Sequence, residues 1–207
     1  MRIDIRWLAS ALAAIAAGLD GLASLSAERV GAEMARLLAA PNPAPALGLM
    51  AQSGALGRVL PGADVMFVAP LVHVEGETKT PPRWQRRLAA LGQGEDWAAR
   101  LRLSRADAKA LVNTALAAGT DSLAVAAYLY GEDAAVDATL ITAASTNSLP
   151  KAGWRDEVLR GVQAEFSLRA VDFPQLAGPA LGAALKAAQA RWLASDLRAD
   201  RATLLGD

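Results

Sequence analysis

Six arginines, Arg83, Arg86, Arg87, Arg100, Arg102 and Arg105, crowd residues 83–105, where the acidic side chains are Glu95 and Asp96 and the local excess is four positive charges. Guanidinium groups bind phosphate oxygens bidentately, and Trp84 and Trp97, interleaved with them, can stack on a base or a ribose. The same residues suit two amphipathic helices whose tryptophans anchor a core. Elsewhere the chemistry is thin. His73 is the single histidine, whereas a metal-dependent phosphohydrolase needs several ligands, so it reads as a packed or surface residue. There is no Asp-x-Asp pair, Walker loop, Gly-x-Gly-x-x-Gly turn or Ser/His/Asp set, and zero cysteines exclude disulfides and thiol chemistry. No catalytic residue and no metal site are expected. Gly178-Pro179 opens a helix with proline at its first position, leaving backbone N–H groups that hold a phosphate or are capped by water.

The elements that must carry these residues are helical. Of 207 residues, 53% are hydrophobic, 20% charged and 5% aromatic, and the apolar spacing is three to four almost throughout. A formal net charge of zero excludes a global nucleic-acid-binding field but leaves room for a local basic face. Residues 7–19 predict a helix with Leu8, Leu12, Ile15 and Leu19 inward. Asp4 and Asp20 argue against reading the N-terminus as a signal peptide, and its apolar run is too short for a bilayer, so a cytoplasmic location is expected.

Ser26 then caps a helix whose first turn holds Glu28, with Leu25 stapled on Val30 and an Arg29–Glu33 ion pair on its polar face. Asn42-Pro43 predicts a helix to Gly54. A short apolar helix or turn covers residues 67–74, with a loop at 75–82. Ser104 opens a helix to Ala118 with Ala108, Leu111, Val112 and Leu116 inward. Helices over 123–130 and 132–144 are followed by a linker at 145–150. Beyond it a helix over 154–165, an extended run over 168–173, a long helix over 179–194 and a short terminal helix are expected.

The string Leu25-Ser-Ala-Glu-Arg-Val-Gly-Ala-Glu-Met-Ala-Arg-Leu-Leu38, preceded by Leu12-Ala-Ala-Ile15, resembles the last neck motif of bacterial CCA-adding tRNA nucleotidyltransferases and their poly(A) polymerase relatives. Asn42-Pro-Ala-Pro45, Ser53-Gly-Ala-Leu56, Val59-Leu-Pro-Gly62, Arg87-Leu-Ala-Ala-Leu91 and the tail Gly178-Pro-Ala-Leu-Gly182 are similar to the neck-to-tail run of alphaproteobacterial members. The resemblance implies an all-α, multi-helical elongated array: neck over 1–62, RNA-binding body over 63–148, tail over 149–207.

It also implies binding of the tRNA acceptor stem and elbow, through Arg83, Arg86, Arg87, Arg100, Arg102, Arg105, Gly178 and Pro179, with Ser26, Glu28, Arg29 and Glu33 as neck-motif residues. The family's catalytic head, which holds magnesium and CTP or ATP, has no counterpart here. The chain is then expected to need no cofactor of its own and to be a truncated product, a fragment or half of a split enzyme. It would add no nucleotide alone, and its neck would offer apolar surface to a separate head or a second copy. A helical protein–protein interaction module without RNA binding is the alternative.

Overall fold

The computed structural model describes Gly21 and residues 25–205, and among these it contains twelve α-helices, one 3-10 turn and no strand. The helix expected over 7–19 lies outside the described residues. In chain order the helices are α1 (Ala27–Ala39), α2 (Ala44–Gln52), α3 (Ala55–Val59), α4 (Val68–Glu77), α5 (Trp84–Ala90), α6 (Trp97–Arg100), α7 (Arg105–Ala118), α8 (Leu123–Tyr130), α9 (Glu132–Ser145), α10 (Trp154–Val162), α11 (Gly178–Ala194) and α12 (Arg201–Leu205).

Polar caps set several of the boundaries. Ser26 Oγ accepts from the Arg29 amide at 3.3 Å, Ser104 Oγ from Asp107 at 3.1 Å and Ser122 Oγ from Val125 at 3.2 Å. Asn42 Oδ1 accepts from the Ala44 amide at 3.2 Å, which moves that helix start one residue beyond the expected Pro43. The run at 67–74 continues to Glu77, because Val68, Leu71, Val74 and Glu75 share one buried face. The stretch expected to be extended at 168–173 closes into a 3-10 turn, Ala170–Asp172, where Asp172 accepts from the Arg169 amide at 2.7 Å.

Two polar-face expectations need correction. Glu33 pairs with Arg36 at 2.9 Å rather than with Arg29, because an acid ahead of a base along the helix is the favoured order. On α7, Val112 and Leu116 are 57% and 48% exposed, and the buried residues are Thr114 and Ala117. Small side chains let α7 approach α9, which packs against it, and that contact, rather than the larger apolar residues, sets the helix rotation.

Packing crosses the expected boundaries at 62 and 148. One core joins Met34 and Leu38 of α1, Leu47 of α2 and Leu56 of α3 to Leu88, Leu91, Trp97 and Leu101. After the loop at 145–150, α10 returns to pack on α8 and α9. A separate cluster of Leu168, Phe173, Ala188, Trp192 and Leu204 gathers α11 and α12, with Tyr128 of α8 edge-on to Trp192 at 5.1 Å between centroids.

Candidate nucleic-acid interface

The six arginines do not share a surface. Arg86 and Arg87 are 3% and 1% exposed, on a helix that packs against α1, α4, α7 and α9 at once. Burial strips water from a guanidinium and obliges its N–H groups to find acceptors. Arg86 donates to Glu75 Oε1 at 2.8 Å, to Asp137 Oδ1 at 2.7 Å and to the Pro81 carbonyl at 3.1 Å. Arg87 donates to Glu75 Oε2 at 3.0 and 2.7 Å and to the Leu38 carbonyl at 2.7 Å, and it also reaches the carbonyls of Ala40 and Pro41. It therefore satisfies the C-terminal carbonyls of α1, where a cation also suits the helix dipole.

Arg83 lies at the edge of this network, with its side chain 22% exposed, bonded to Asp137 and 3.3 Å from Asp133. Burial pushes the Asp137 carboxyl above its usual value, while Arg86 and Arg83 pull it back part of the way. Among the described residues no buried side-chain polar atom lacks a partner. Arg86 and Arg87, expected as RNA contacts, lie in the interior as ion-pair residues. Glu75, expected in a loop, and Asp137 are the carboxylates that sequence reasoning missed. The one signal for Asp137 is a lone carboxylate amid Ala134, Ala135 and Ala138, on a helix face too apolar to point outward.

Arg100, Arg102 and Arg105 are exposed, and they gather where the end of α6 meets the start of α1 and the start of α7. Arg102 forms the turn out of α6: its φ is 48°, the Leu103 amide reaches back to the Ala98 carbonyl at 2.9 Å, and its side chain is 3.3 Å from Glu28 on α1. That is a C-terminal motif in which glycine is the usual residue. α1 can approach because Gly31 has no side chain, and a Cβ there would stand 2.0 Å from the Leu101 carbonyl oxygen. Arg100 is tied to Asp96, one turn earlier. Arg105 and Lys109 follow one turn apart on α7, so the exposed basic residues around this turn are Arg100, Arg102, Arg105 and Lys109, while Arg29 of α1 is exposed and lines the groove along that helix.

The tryptophans are not part of it. Trp97 is 3% exposed and donates to the Pro61 carbonyl at 3.0 Å, and Trp84 packs half-buried on the same core. Gly178 and Pro179 are exposed at the start of α11, where Ala177 supplies no side-chain cap, and they belong to the tail helices rather than to the arginine-bearing turn. His73 is exposed on α4, and among the described residues no group of acidic, histidine or cysteine side chains could hold a metal.

Three depressions surround these features. A mostly apolar groove of about 410 Å³ along α1 is lined by Leu25, Val30, Met34, Leu37, Met50 and Val59, with Arg29 and Glu33 at its edge. A second, of about 510 Å³, opens between Trp97 and the exposed Val112 and Leu116 of α7. The third, of about 580 Å³, is polar and lies between α7 and the start of α9. Among the described residues no helix is long and apolar enough to cross a membrane.

Residues 9–67 match the family model described as "Probable RNA and SrmB- binding site of polymerase A". The matched span takes in α1 to α3 and the residues of the neck-like motif, and it is similar to the RNA-binding region of poly(A) polymerases. No curated protein and no solved structure matches the chain.

Proposed function

We propose that this chain is an RNA-gripping part of a tRNA nucleotidyltransferase, holding the acceptor stem and elbow of tRNA for a catalytic head carried elsewhere. The observation that carries the reading is the match over residues 9–67, whose neck-like motif falls on α1. Glu28 stands there beside the exposed turn of Arg102, and Arg29 is exposed on the same helix. Proteins read A-form RNA through its phosphates and shape, which suits a patch of arginines presented without exposed aromatic stacking partners. In this reading Arg29, Arg100, Arg102 and Arg105 contact the backbone, and the open start of α11 at Gly178-Pro179 takes a further phosphate. Arg87 holds α1 against α5, and Arg86 ties α5 to α4 and α9.

The test is tRNA affinity as a function of salt. Each phosphate contact releases counterions, so Arg102→Ala and Arg105→Ala are each expected to lower the slope of log K against log salt by about one. Unchanged slopes in both variants would leave the patch a solvated surface. A second reading, a helical interaction module, is favoured by the mostly apolar groove along α1, which lies within the span whose family description also names SrmB binding. It predicts salt-insensitive association in place of salt-sensitive RNA binding.

A further inference from the structure

The cleft of about 580 Å³ between α7 and the start of α9 is lined by Arg83, Lys109, Asn113, Tyr130, Glu132 and Asp133 together with alanines. Its volume falls in the range of small-ligand sites, about 300–1,000 Å³. The charge pattern argues against a bare phosphate. Arg83 is neutralised from below by Asp137 and flanked by Asp133, and Glu132 adds a second exposed carboxylate, so the lining's two cations, Arg83 and Lys109, face two carboxylates and leave no net positive charge. The cleft instead offers side-by-side acceptors and donors around an apolar wall, which is the complement of a nucleobase edge.

Asp133 is 78% exposed at its side chain, so its Oδ1 is open to a ligand and its Oδ2, 3.3 Å from Arg83, keeps a second acceptor site. Lys109, exposed four residues after Arg105, forms no ion pair among the described residues. Asn113 is fixed by donating to the Tyr130 carbonyl at 3.1 Å, which leaves its own carbonyl oxygen as an acceptor. Tyr130 is half-buried, lines the same space and packs against the alanine cluster beneath it.

We infer that this cleft receives one unpaired purine nucleobase, guanine, of the RNA bound along the basic turn. Guanine carries two adjacent donors, N1–H and N2–H, that one carboxylate can accept together, and an O6/N7 acceptor edge that suits Lys109. Adenine, cytosine and uracil lack the adjacent donor pair. Single-stranded bases splayed from RNA are read in this way, by stacking and edge hydrogen bonds. Arg105 and Lys109 lie about 6 Å apart along α7, so a strand held at Arg102 and Arg105 runs to the mouth of the cleft. The inference rests on the RNA-binding reading.

The experiment is saturation-transfer NMR with guanosine, adenosine, cytidine and uridine, which carry no phosphate and so report the cleft apart from the basic turn. Guanosine is expected to saturate at least tenfold more tightly than the other three. Asp133→Asn, on an exposed side chain that leaves the fold intact, is expected to abolish that preference, and Lys109→Ala to weaken guanosine alone. Equal binding of all four, no saturable binding, or a preference that survives Asp133→Asn would overturn the inference. Salt-sensitive tRNA binding without nucleoside selectivity removes the cleft and leaves the basic turn standing. Guanosine selectivity without tRNA binding removes the RNA reading and leaves the cleft.

Discussion

Arg87 shows what a buried guanidinium must do to persist in a core. Its donors face one carboxylate and three backbone carbonyls, so it caps α1 and pairs with Glu75 at once. Removing one member of a buried ion pair costs about 3–5 kcal/mol, because the partner is left charged and unpaired. Arg87→Ala is therefore expected to lower urea-unfolding stability by about that amount, and Arg87→Met paired with Glu75→Gln by less, since the double change removes one cation and one anion together and leaves Arg86 paired with Asp137. An equal loss in single and double variants would show that packing, not pairing, dominates.

Asp196 poses the opposite electrostatic case. Burial alone would raise its carboxyl, but donors from Ser122, Arg198 and Arg160 outweigh it and hold the group below the usual carboxylate range. A depressed folded value means a contribution present above the unfolded value, about 3.9, and lost as pH falls through the folded one. Wild type should exceed Asp196→Asn in stability at pH 7, with the gap closing below about pH 4. Asp137, raised by burial, acts in the other sense: its contribution is full below the unfolded value and fades as pH rises through its own. Urea midpoints of wild type, Asp196→Asn and Asp137→Asn across pH 3 to 7, a range set around the carboxylate values, separate the two.

At the scale of elements, two glycines fix how closely helices meet. A Cβ on Gly31 of α1 would lie 2.0 Å from the Leu101 carbonyl oxygen, and one on Gly161 of α10 would lie 2.1 Å from that of Ala124 on α8. Both obstacles are backbone, so the helix must move. Gly31→Ala and Gly161→Ala are each expected to destabilise by about 1–3 kcal/mol. Gly48 of α2 has nothing within 4 Å of the place a methyl group would occupy, so Gly48→Ala should be neutral or stabilising by up to about 1 kcal/mol. Thermal unfolding of the three variants measures the contrast. Gly31→Ala should also weaken tRNA binding, because it displaces the Leu101–Arg102 turn from α1, whereas Gly161→Ala should leave that binding intact in the folded fraction.

For the molecule as a whole, the proposed role assigns grip to this chain and chemistry to a head. Nucleotidyl transfer needs carboxylates that hold metal ions against the attacking and leaving oxygens. The sequence has no Asp-x-Asp pair, and among the described residues no acidic cluster can hold a metal. The purified chain, given magnesium, labelled CTP and ATP, and tRNA lacking its 3′ end, is expected to incorporate neither nucleotide. Robust incorporation would overturn the role, and incorporation only on adding a head-containing polypeptide would make this chain a subunit.

The sequence alone determined the helical class and most helix starts, because caps such as Ser26 and Ser104 act on amides three residues away and apolar spacing needs no distant partner. It also carried the neck-like motif, which is a property of contiguous residues. Tertiary structure decided which arginines stay in water. Arg86 and Arg102 look alike in a string, but one faces Glu75 and Asp137, distant in sequence, and the other turns outward in a left-handed backbone beside Glu28. The same holds for α7, where contact with α9 buried Thr114 and Ala117 and left Val112 and Leu116 outside. Local preference depends on neighbours in the chain, whereas burial of a charge depends on partners that only folding brings into hydrogen-bond range.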